Sequence, residues 1–445
     1  MHETLNIAVV GSGISGLSAA WLLCRKHAVT LYEKETWLGG HSNTIDVAVC
    51  DEGATTRPVD TGFIVYNTQS YPNLIALFDH LGVETAPTEM SFSVSLGAGH
   101  YEYSGTGIGG LFGQPRNAVR LHHLQMLADI ARFFREAPRD LANGFAKDLS
   151  LADYLTERGF SRAFIDHHIL PMAAAIWSTP TADVLGYPAA SFIRFFANHG
   201  LLQIRRRPQW RTVTGGSREY VRRLRNSFRG RIYQNVAVRR VTRSQSAASI
   251  VDSLGRIEHF DAVVLATHAD QALALLGDAD DPERAMLGAF RYARNEAVVH
   301  SDPAWMPRRR RLWSAWNFIG PADTDAGRLT VSYWMNRLQP LQSRTDIFVT
   351  LNPGHGLTQR AAAFQYEHPM FDAAALRAQR GLWRLQGRNR TWFAGSYFGY
   401  GFHEDGLEAG LAVAEELGGI ARPWKVRSPI ETAPRQAASA LEPVP

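Results

Sequence analysis

The chain of 445 residues is poor in lysine and cysteine. Only four of its 47 basic residues are lysines, namely Lys26, Lys34, Lys147 and Lys425. The two cysteines, Cys24 and Cys50, are too few for a disulfide framework, and their spacing matches no metal site. The sequence therefore predicts neither a disulfide framework nor a bound metal, and it suits a reducing cytoplasm.

Long apolar runs and a strong imbalance of charge are also absent. No apolar run reaches the length of about 18 residues that a membrane span needs. The strand-like segment Leu5–Val10 begins almost at once without a preceding basic region, so a signal peptide is not expected. The formal net charge of +5 is modest for this length, and no nucleic-acid-binding motif is present. We expect a cytoplasmic protein that does not bind nucleic acid.

The start of the chain has the pattern of a β-α-β unit. Leu5–Val10 is predicted to be a buried strand, Gly11–Gly16 a turn, Leu17–Arg25 a helix and Val29–Glu33 a second strand. This is the beginning of a doubly wound sheet. The composition, with 45% hydrophobic and 20% charged residues, is that of a globular protein, and the length suggests about two or three domains.

The turn carries the glycine pattern that binds the pyrophosphate of a dinucleotide. Gly11 permits the tight turn, Gly13 lets the backbone approach the phosphates, and Gly16 lets the helix pack closely on the strand. The helix N-terminus then offers free N–H groups and a partial positive charge. Glu33 follows Gly16 by 17 residues, a position suited to a carboxylate that accepts hydrogen bonds from a ribose. The pattern alone does not separate NAD from FAD.

Four further segments resemble the flavin-dependent amine oxidase and phytoene desaturase superfamily. Leu38–His41 carries a Gly-Gly pair. In that superfamily, such a pair continues the FAD site along the pyrophosphate. Thr391–Gly406 resembles the closing FAD motif, in which a helix N-terminus stabilises the negative charge of the reduced flavin. Thr214–Ser217 resembles the segment before the adenine-side strand, and Asp261–Thr267 the strand that ends near the FAD.

The resemblance implies FAD as the cofactor. No cysteine lies beyond Cys50, so we expect the FAD to be bound without a covalent link. Val236 and Val238 are expected on the adenine-side strand. The glycine motif and the resemblance together predict these FAD-binding residues: Gly11, Gly13, Ile14, Ser15, Gly16, Glu33, Lys34, Gly39, Gly40, His41, Val236, Val238, Ala266, Thr267, Gly395, Ser396, His403, Glu404, Asp405 and Gly406.

The predicted fold class is α/β, with two domains that are each discontinuous in sequence. A Rossmann-type FAD domain takes residues 1–90, 205–285 and 385–422. A substrate domain of mixed helices and sheet, α+β in character, takes residues 91–204 and 286–384. Residues 423–445 are rich in Pro, Ala and Ser, and we expect them to form a mobile tail.

A closer resemblance exists to one bacterial branch of the superfamily. Its members are described as predicted NAD/FAD-binding proteins, and they are associated with cyclopropane-fatty-acid-synthase-like methyltransferases. The resemblance implies a role in lipid metabolism, with a lipid methyltransferase as a partner. The matching segments are Gly39–Asn43, Asp60–Asn67, Arg207–Arg211, Tyr333–Gln339 and Tyr400–Asp405.

A flavin removes hydride only from an activated C–H bond, either beside an amine nitrogen or at an allylic carbon. Many amine oxidases of the superfamily hold a lysine near the flavin, whereas the matching strand Asn295–His300 has none. We therefore predict an FAD-dependent dehydrogenase or desaturase of a fatty-acyl lipid. An oxidase of a small amine and a flavin-bound partner of a lipid methyltransferase are the alternatives. The apolar segments Ile169–Trp177 and Ser191–Phe196 either line a chain-shaped cavity or form helix core.

Three residues are the candidates for catalysis. His300 ends a predicted strand and suits proton transfer near neutral pH; the alternative is an ordinary hydrogen-bonded histidine at a strand end. Tyr400 is expected either to wall the pocket or to pack in the core, and His403 to act through its backbone or as an acid or base. The neighbouring His167 and His168 face different ways on a helix, which argues against a metal site.

Two basic runs and one glycine-rich stretch suggest a membrane contact. Arg205–Arg207 and Arg308–Arg311 are either solvated surface or contacts to anionic lipid headgroups. The stretch Ile108–Phe112 could dip into a bilayer interface. The predicted partners are thus a lipid or other small-molecule substrate and, peripherally, the inner membrane.

Overall fold

The structure is a computed structural model that describes residues 4–51, 54–177, 181–203, 207–321, 330–354 and 356–426. Two sequence predictions fall partly outside these residues. They are the basic run at Arg205 and Arg206, and the tail from residue 427 onward.

The described strands are, in chain order, β1 Asn6–Val10, β2 Ala28–Glu33, β3 Thr44–Asp51, β4 Ala54–Asp60, β5 Tyr66–Asn67, β6 Thr85–Thr88, β7 Phe92–Leu96, β8 Tyr101–Ser104, β9 Trp210–Val213, β10 Arg231–Gln234, β11 Val238–Arg243, β12 Ala248–Asp252, β13 Ile257–Phe260, β14 Ala262–Leu265, β15 Arg291–His300, β16 Trp316–Gly320, β17 Val331–Trp334, β18 Phe348–Leu351, β19 Arg360–Met370 and β20 Thr391–Phe393.

The described α-helices are α1 Ile14–Leu23, α2 Pro72–Leu81, α3 Ile108–Leu111, α4 Leu121–Ala142, α5 Leu151–Glu157, α6 Arg162–Phe164, α7 Leu170–Trp177, α8 Thr181–Val184, α9 Ala189–Asn198, α10 Arg218–Ser227, α11 Ala269–Leu275, α12 Asp281–Leu287, α13 Met335–Leu338, α14 Ala373–Gln379 and α15 His403–Gly418. A π-helical turn, Ile165–Ile169, joins α6 to α7.

The first sheet is a parallel one of five strands in the order β10-β2-β1-β14-β20. Its central strands are buried runs such as Ile7–Val10 and Ala262–Leu265, as expected for a sheet covered on both faces. All five strands lie in residues 1–90, 205–285 and 385–422. The sheet is the Rossmann-type core that the sequence predicted, and α1 and α15 pack against each other beside it.

The second sheet has seven strands in the order β19-β15-β18-β17-β16-β7-β8. Its pairs are antiparallel except for the parallel pair of β16 with β7. The strands come from residues 91–204 and 286–384, so the mixed α/β fold class is confirmed. The domain boundaries themselves stay a prediction. Helices α3 to α9 lie between residues 108 and 198, within the first part of the predicted substrate domain.

Some predicted elements begin or end elsewhere. The sequence pattern predicts strand over Arg231–Val241, whereas the structure has two strands, β10 and β11, because Asn235 between them adopts a left-handed conformation with φ of 59°. Apolar residues spaced by three and four over Asn117–Glu136 predict a helix, which in the structure begins at Leu121, after a 3₁₀ turn at Pro115–Val119. No helix in the described ranges is long and apolar enough to cross a membrane.

The buried carboxylate of Asp60, at the end of β4, connects β3 with the residues that precede α10 and follow α13. It accepts hydrogen bonds from Thr44 Oγ1 at 2.6 Å, from the backbone N and Oγ of Ser217 at 2.8 Å each, and from Gln339 Nε2 at 2.9 Å. Gln339 in turn accepts from the Asp60 backbone N–H at 2.9 Å. Two segments of the branch resemblance, Asp60–Asn67 and Tyr333–Gln339, thus meet the segment Thr214–Ser217, and the contacts among them are structural.

We expect Asp60→Ala to lower the free energy of unfolding by roughly 3 kcal/mol, because it leaves several buried donors without a partner. Urea unfolding of the purified protein measures the loss. Asp46→Ala is the matched control, since Asp46 pairs with Arg218 at 2.8 Å on the surface and such pairs contribute about 1 kcal/mol or less. Equal losses in the two variants would contradict the role assigned to Asp60.

Candidate functional site

A cavity of about 1000 Å³ opens at the carboxyl edge of the parallel sheet and continues into the second domain. Val10, Glu33 and Ala266, which end or follow three neighbouring strands, all line it. This edge is where α/β sheets of this type bind their ligands. On the other side, residues of the second sheet and of α7 and α9 complete the wall.

The glycine turn shapes one end of the cavity. Gly11 has φ of +98°, and a Cβ there would lie 2.7 Å from the carbonyl oxygen of Ala266. A Cβ on Gly16 would overlap the carbonyl oxygen of Gly11, whereas a Cβ on Gly13 would meet nothing within 4 Å. Helix α1 begins at Ile14 without a side-chain cap, so its first N–H groups are left for a ligand.

Glu33 fixes the same turn. Its carboxylate accepts from the Ser12 backbone N–H at 2.9 Å, from Ser12 Oγ at 2.5 Å and from the Glu35 backbone N–H at 2.8 Å. Glu33 also lines the cavity, so the carboxylate supports the loop and faces the space where a ribose is expected.

Most predicted FAD-binding residues line this one cavity. They are Gly11, Gly13, Ile14, Ser15, Glu33, Lys34, Gly39, Gly40, His41, Val236, Val238, Ala266, Thr267, Gly395, Ser396 and His403. Val236 lies just before β11 rather than on it, with its N–H bound to the carbonyl of Glu33 at 2.8 Å.

Four predicted FAD-binding residues support the cavity from behind instead of lining it: Gly16, Glu404, Asp405 and Gly406. Glu404 accepts from the backbone N–H groups of Asn73 and Leu74, at 2.8 and 2.9 Å, and so caps α2. Asp405 accepts from the Phe402 backbone N–H at 2.8 Å.

Gly406 allows α15 to approach α1. A Cβ on it would lie 3.0 Å from Ile14 Cγ2 and from Ser15 Oγ. The side chains of Glu404 and Asp405 and the Cα of Gly406 thus contact the protein, and the part of these three residues in FAD binding stays a prediction.

His403 stands at the N-terminus of α15 with its ring locked in place. Its Nε2 lies 2.7 Å from the Tyr220 hydroxyl and 3.1 Å from Ser42 Oγ, and its ring stacks on Phe63 at 3.8 Å. Burial lowers the pKa of His403 to about 3, so the ring is neutral at physiological pH. These contacts favour a positioning role at the cavity wall over proton transfer.

His300, the first catalytic candidate, does not reach the cavity. Across the second sheet, Val299 pairs with Val349, which pairs with Tyr333, and Tyr333 lines the cavity. Since successive side chains of a strand point to opposite faces, His300 points away. It lies buried against Thr350, with Nε2 2.6 Å from Oγ1, and we leave it out of the catalytic set.

Two further histidines, which no sequence motif marks, join His41 in the cavity wall. The ring centroids of His268 and His368 lie 6.4 and 5.3 Å from that of His41. Burial is the main cause that lowers the pKa of each, to about 4 for His368, so the cluster is uncharged near pH 7. No group of metal-ligating side chains with the arrangement of a metal site occurs in the described ranges.

The end of the cavity remote from the glycine turn is apolar and aromatic. The contacts Trp177–Phe195 at 4.6 Å and Phe195–Phe402 at 4.9 Å join the helices to the loop before α15. Tyr400, the second catalytic candidate, belongs to this wall, with its ring 6.2 Å from that of Phe195. The other lining side chains here include Ile64, Val65, Met90, Ile176, Leu201, Trp210, Trp316 and Tyr333.

The charged side chains of the cavity lie outside its aromatic end; they include Arg294, which pairs with Glu367 at 3.1 Å. Three carboxylates line the cavity. Glu33 ends β2, Glu35 follows that strand, and Glu367 lies on β19. All four lysines fall in the described residues, and of these only Lys34, next to Glu33, lines the cavity. The aromatic end therefore has no carboxylate for a cationic substrate and no lysine.

His199 is the histidine of the aromatic end, and no sequence motif marks it. It is the C-cap of α9, stacked on Phe195 at 3.9 Å. Its Nδ1 lies 3.0 Å from the Phe195 carbonyl oxygen, and because a carbonyl only accepts, Nδ1 carries the proton. Nε2 then keeps its lone pair, and burial lowers the pKa of His199 to about 4.

The residues present fit FAD. One end of the cavity has the uncapped N-terminus of α1 and open space beside the Cα of Gly13, as a pyrophosphate requires. The carboxylate of Glu33, bound to the same loop, suits a ribose. A second helix N-terminus, that of α15, reaches the same cavity through His403. The cysteines lie elsewhere, Cys24 at the end of α1 and Cys50 exposed on β3.

Comparisons with known proteins agree with this assignment. The model of the family described as flavin containing amine oxidoreductase matches residues 14–299. AofH of Mycobacterium tuberculosis, a protein named as a flavin-containing monoamine oxidase, is 26% identical over 266 residues. That match covers 57% of this chain and 55% of AofH, so the chain spans about half the length of this relative.

Solved structures share the fold over nearly the whole chain. A fatty acid isomerase from P. acnes that produces CLA superposes with a TM-score of 0.65 at 16% identity, covering 93% of this chain and 98% of that one. A putrescine oxidase mutant superposes with a TM-score of 0.67 at 17% identity, covering 93% and 99%. At these identities the likeness concerns the fold.

Proposed function

Since the chain belongs to the flavin containing amine oxidoreductase family and is an FAD-dependent oxidoreductase, we propose that it dehydrogenates an activated, allylic carbon of a fatty-acyl lipid. The observation that carries this proposal is the aromatic end of the cavity, which holds neither carboxylate nor lysine. An acyl chain needs no charged partner there. Each buried CH₂ contributes about 0.8 kcal/mol, so a chain of moderate length suffices for binding.

The residues that would hold FAD are those of the glycine turn, Glu33, the Gly39–His41 segment, the strand start at Val236–Val238 and the Gly395–Ser396 turn. Bound FAD supplies a hydride acceptor. The protein orients both ligands and excludes water with the walls of the aromatic end.

In this proposal His199 takes the proton that accompanies the hydride. Formation of a carbon–carbon double bond removes a hydride from one carbon and a proton from its neighbour. Nε2 of His199 holds a free lone pair at the cavity wall, and the ring stays neutral because burial lowers its pKa. The Phe195 carbonyl fixes the tautomer, as a base in catalysis requires.

The alternative activity is oxidation of a small amine. It is favoured by the family description and by the name of AofH. In that case Tyr400 and Phe402 would wall the amine, which would have to bind uncharged because the aromatic end offers no carboxylate. A third role, as a flavin-bound partner of a lipid methyltransferase with little turnover of its own, rests on the branch resemblance alone.

The dependence of ligand affinity on chain length tests whether the aromatic end binds acyl chains. We expect the affinity of saturated fatty acids of increasing length, read from the shift of the flavin absorbance spectrum, to rise by up to about fourfold per CH₂ until the cavity is filled. Primary alkylamines of the same lengths serve as the matched series. Affinity that does not depend on chain length would contradict the acyl-chain assignment.

A further inference from the structure

Four of the large apolar side chains most exposed in the described ranges lie close together in sequence. Ile108, Val119, Leu121 and Leu124 are exposed by 79, 85, 80 and 42%. From Ser104 to Ala128 the sequence contains no aspartate or glutamate. This surface, residues 108–124, is therefore apolar and bears no negative side chain.

Hydrogen bonds hold the backbone of this segment in place, while its large apolar side chains are exposed to solvent. Gln114 accepts from the Glu102 backbone N–H at 3.0 Å, and Asn117 Nδ2 donates to the Glu102 carbonyl at 2.9 Å. Phe112 packs on the buried His123 at 5.7 Å. The buried contacts beneath the segment therefore keep these apolar side chains on the surface.

The basic run Arg308–Arg311 reaches the same surface, although it lies about 190 residues away in sequence. Arg311 donates to the carbonyl of Gly113. Arg308 packs against Gly99, since a Cβ on that glycine would lie 2.8 Å from the Cγ of Arg308. Arg309 pairs with the buried Glu102 at 2.6 Å. Two features noted independently in the sequence, the glycine-rich stretch and the basic run, therefore form one face.

The arginines of this face are largely without acidic partners. Arg120 donates to the His100 carbonyl and to Gln114 Oε1, at 3.3 and 3.1 Å. In the portion of the chain that the structure describes, none of these arginines forms an ion pair with a carboxylate: Arg116, Arg120, Arg308 and Arg311. Only Arg309 and Arg310 of the face do so, with Glu102 and Asp346.

We propose that the face formed by residues 108–124 and 308–311 docks on a bilayer surface that contains anionic lipids. Apolar tips surrounded by cationic groups match the acyl boundary and the headgroups of such a surface. The charge complementarity favours lipid over a second copy of this chain, because the copy would bring the same arginines against each other. The inference concerns a surface remote from the cavity and stands whatever substrate the enzyme uses.

Cosedimentation of the FAD-loaded protein with vesicles tests the proposal. We expect binding to vesicles of phosphatidylcholine mixed with phosphatidylglycerol, weak binding to phosphatidylcholine alone, and release by salt. The double variant Val119→Ser and Leu121→Ser should reduce the partition coefficient at least about tenfold. Arg116→Gln with Arg308→Gln should reduce it by about fivefold per arginine, and only on anionic vesicles.

The matched control is Leu254→Ser with Ile257→Ser, which alters two side chains exposed by 66 and 62% on another part of the chain. It should bind like the parent protein. Absence of vesicle binding, or equal losses in the control and the test variants, would overturn the proposal. Conversion of an oligomer to a monomer by Val119→Ser and Leu121→Ser, without vesicle binding, would assign the face to a second copy instead.

Discussion

His199→Gln is expected to slow flavin reduction by an acyl substrate about 10²- to 10⁴-fold, the range for loss of a positioned base. Glutamine keeps much of the volume beside Phe195 but has no basic nitrogen. Because the His199 pKa is lowered to about 4, the rate of the parent enzyme should be independent of pH near neutrality and fall as the pH drops through about 4. Stopped-flow absorbance under anaerobic conditions measures both.

The control is His168→Gln. His168 is buried as deeply as His199, at 7 and 5% exposure, and burial also lowers its pKa to about 4, but it does not line the cavity. We expect this variant to reduce its flavin at the parent rate. If both variants slow equally, the effect is structural and His199 is not the base.

Gly13→Ala is expected to weaken FAD binding by roughly 5- to 150-fold without destabilising the FAD-free protein. A Cβ at this position meets nothing within 4 Å, so the fold accommodates it. The same Cβ would stand at the N-terminus of α1, where the pyrophosphate must approach, and overpacking of this kind costs about 1–3 kcal/mol. Titration of the FAD-free protein, followed by flavin fluorescence, gives the affinity.

Gly109→Ala is the matched control, since a Cβ there also meets nothing within 4 Å and the residue is remote from the cavity. Its FAD affinity should equal that of the parent. Gly16→Ala should differ from both, because its Cβ would overlap the Gly11 carbonyl and so lower stability as well as FAD affinity. Undiminished affinity in Gly13→Ala would contradict the placement of the phosphates.

The FAD end of the cavity could be predicted because its signal is local. The strand, turn, helix and carboxylate of β1, α1 and Glu33 lie within about 30 residues, so sequence spacing alone fixes their relation. No local sequence signal indicates that the carboxylate of Glu404 caps α2. Its partners on α2 are more than 300 residues away, and only the fold brings them to the N-terminus of α15.

The substrate end depends on long-range pairing and was predicted less well. His300 and Val299 are adjacent in sequence, and which of them shares the sheet face of Tyr333 depends on the register of β15 against β18. Within the segments expected to line a chain-shaped cavity, Trp177 and Phe195 do so, while Phe192 and Phe196 pack in the core. His199 follows α9 with no local signal that would distinguish a base from a core histidine.

Anaerobic mixing of the yellow protein with candidate substrates tests the central claim most directly. The account predicts that an unsaturated or methyl-branched acyl lipid bleaches the flavin absorbance, and that small amines do not. Bleaching by small amines within seconds, with no response to any acyl lipid, would contradict the desaturase assignment and establish the amine oxidase activity in its place.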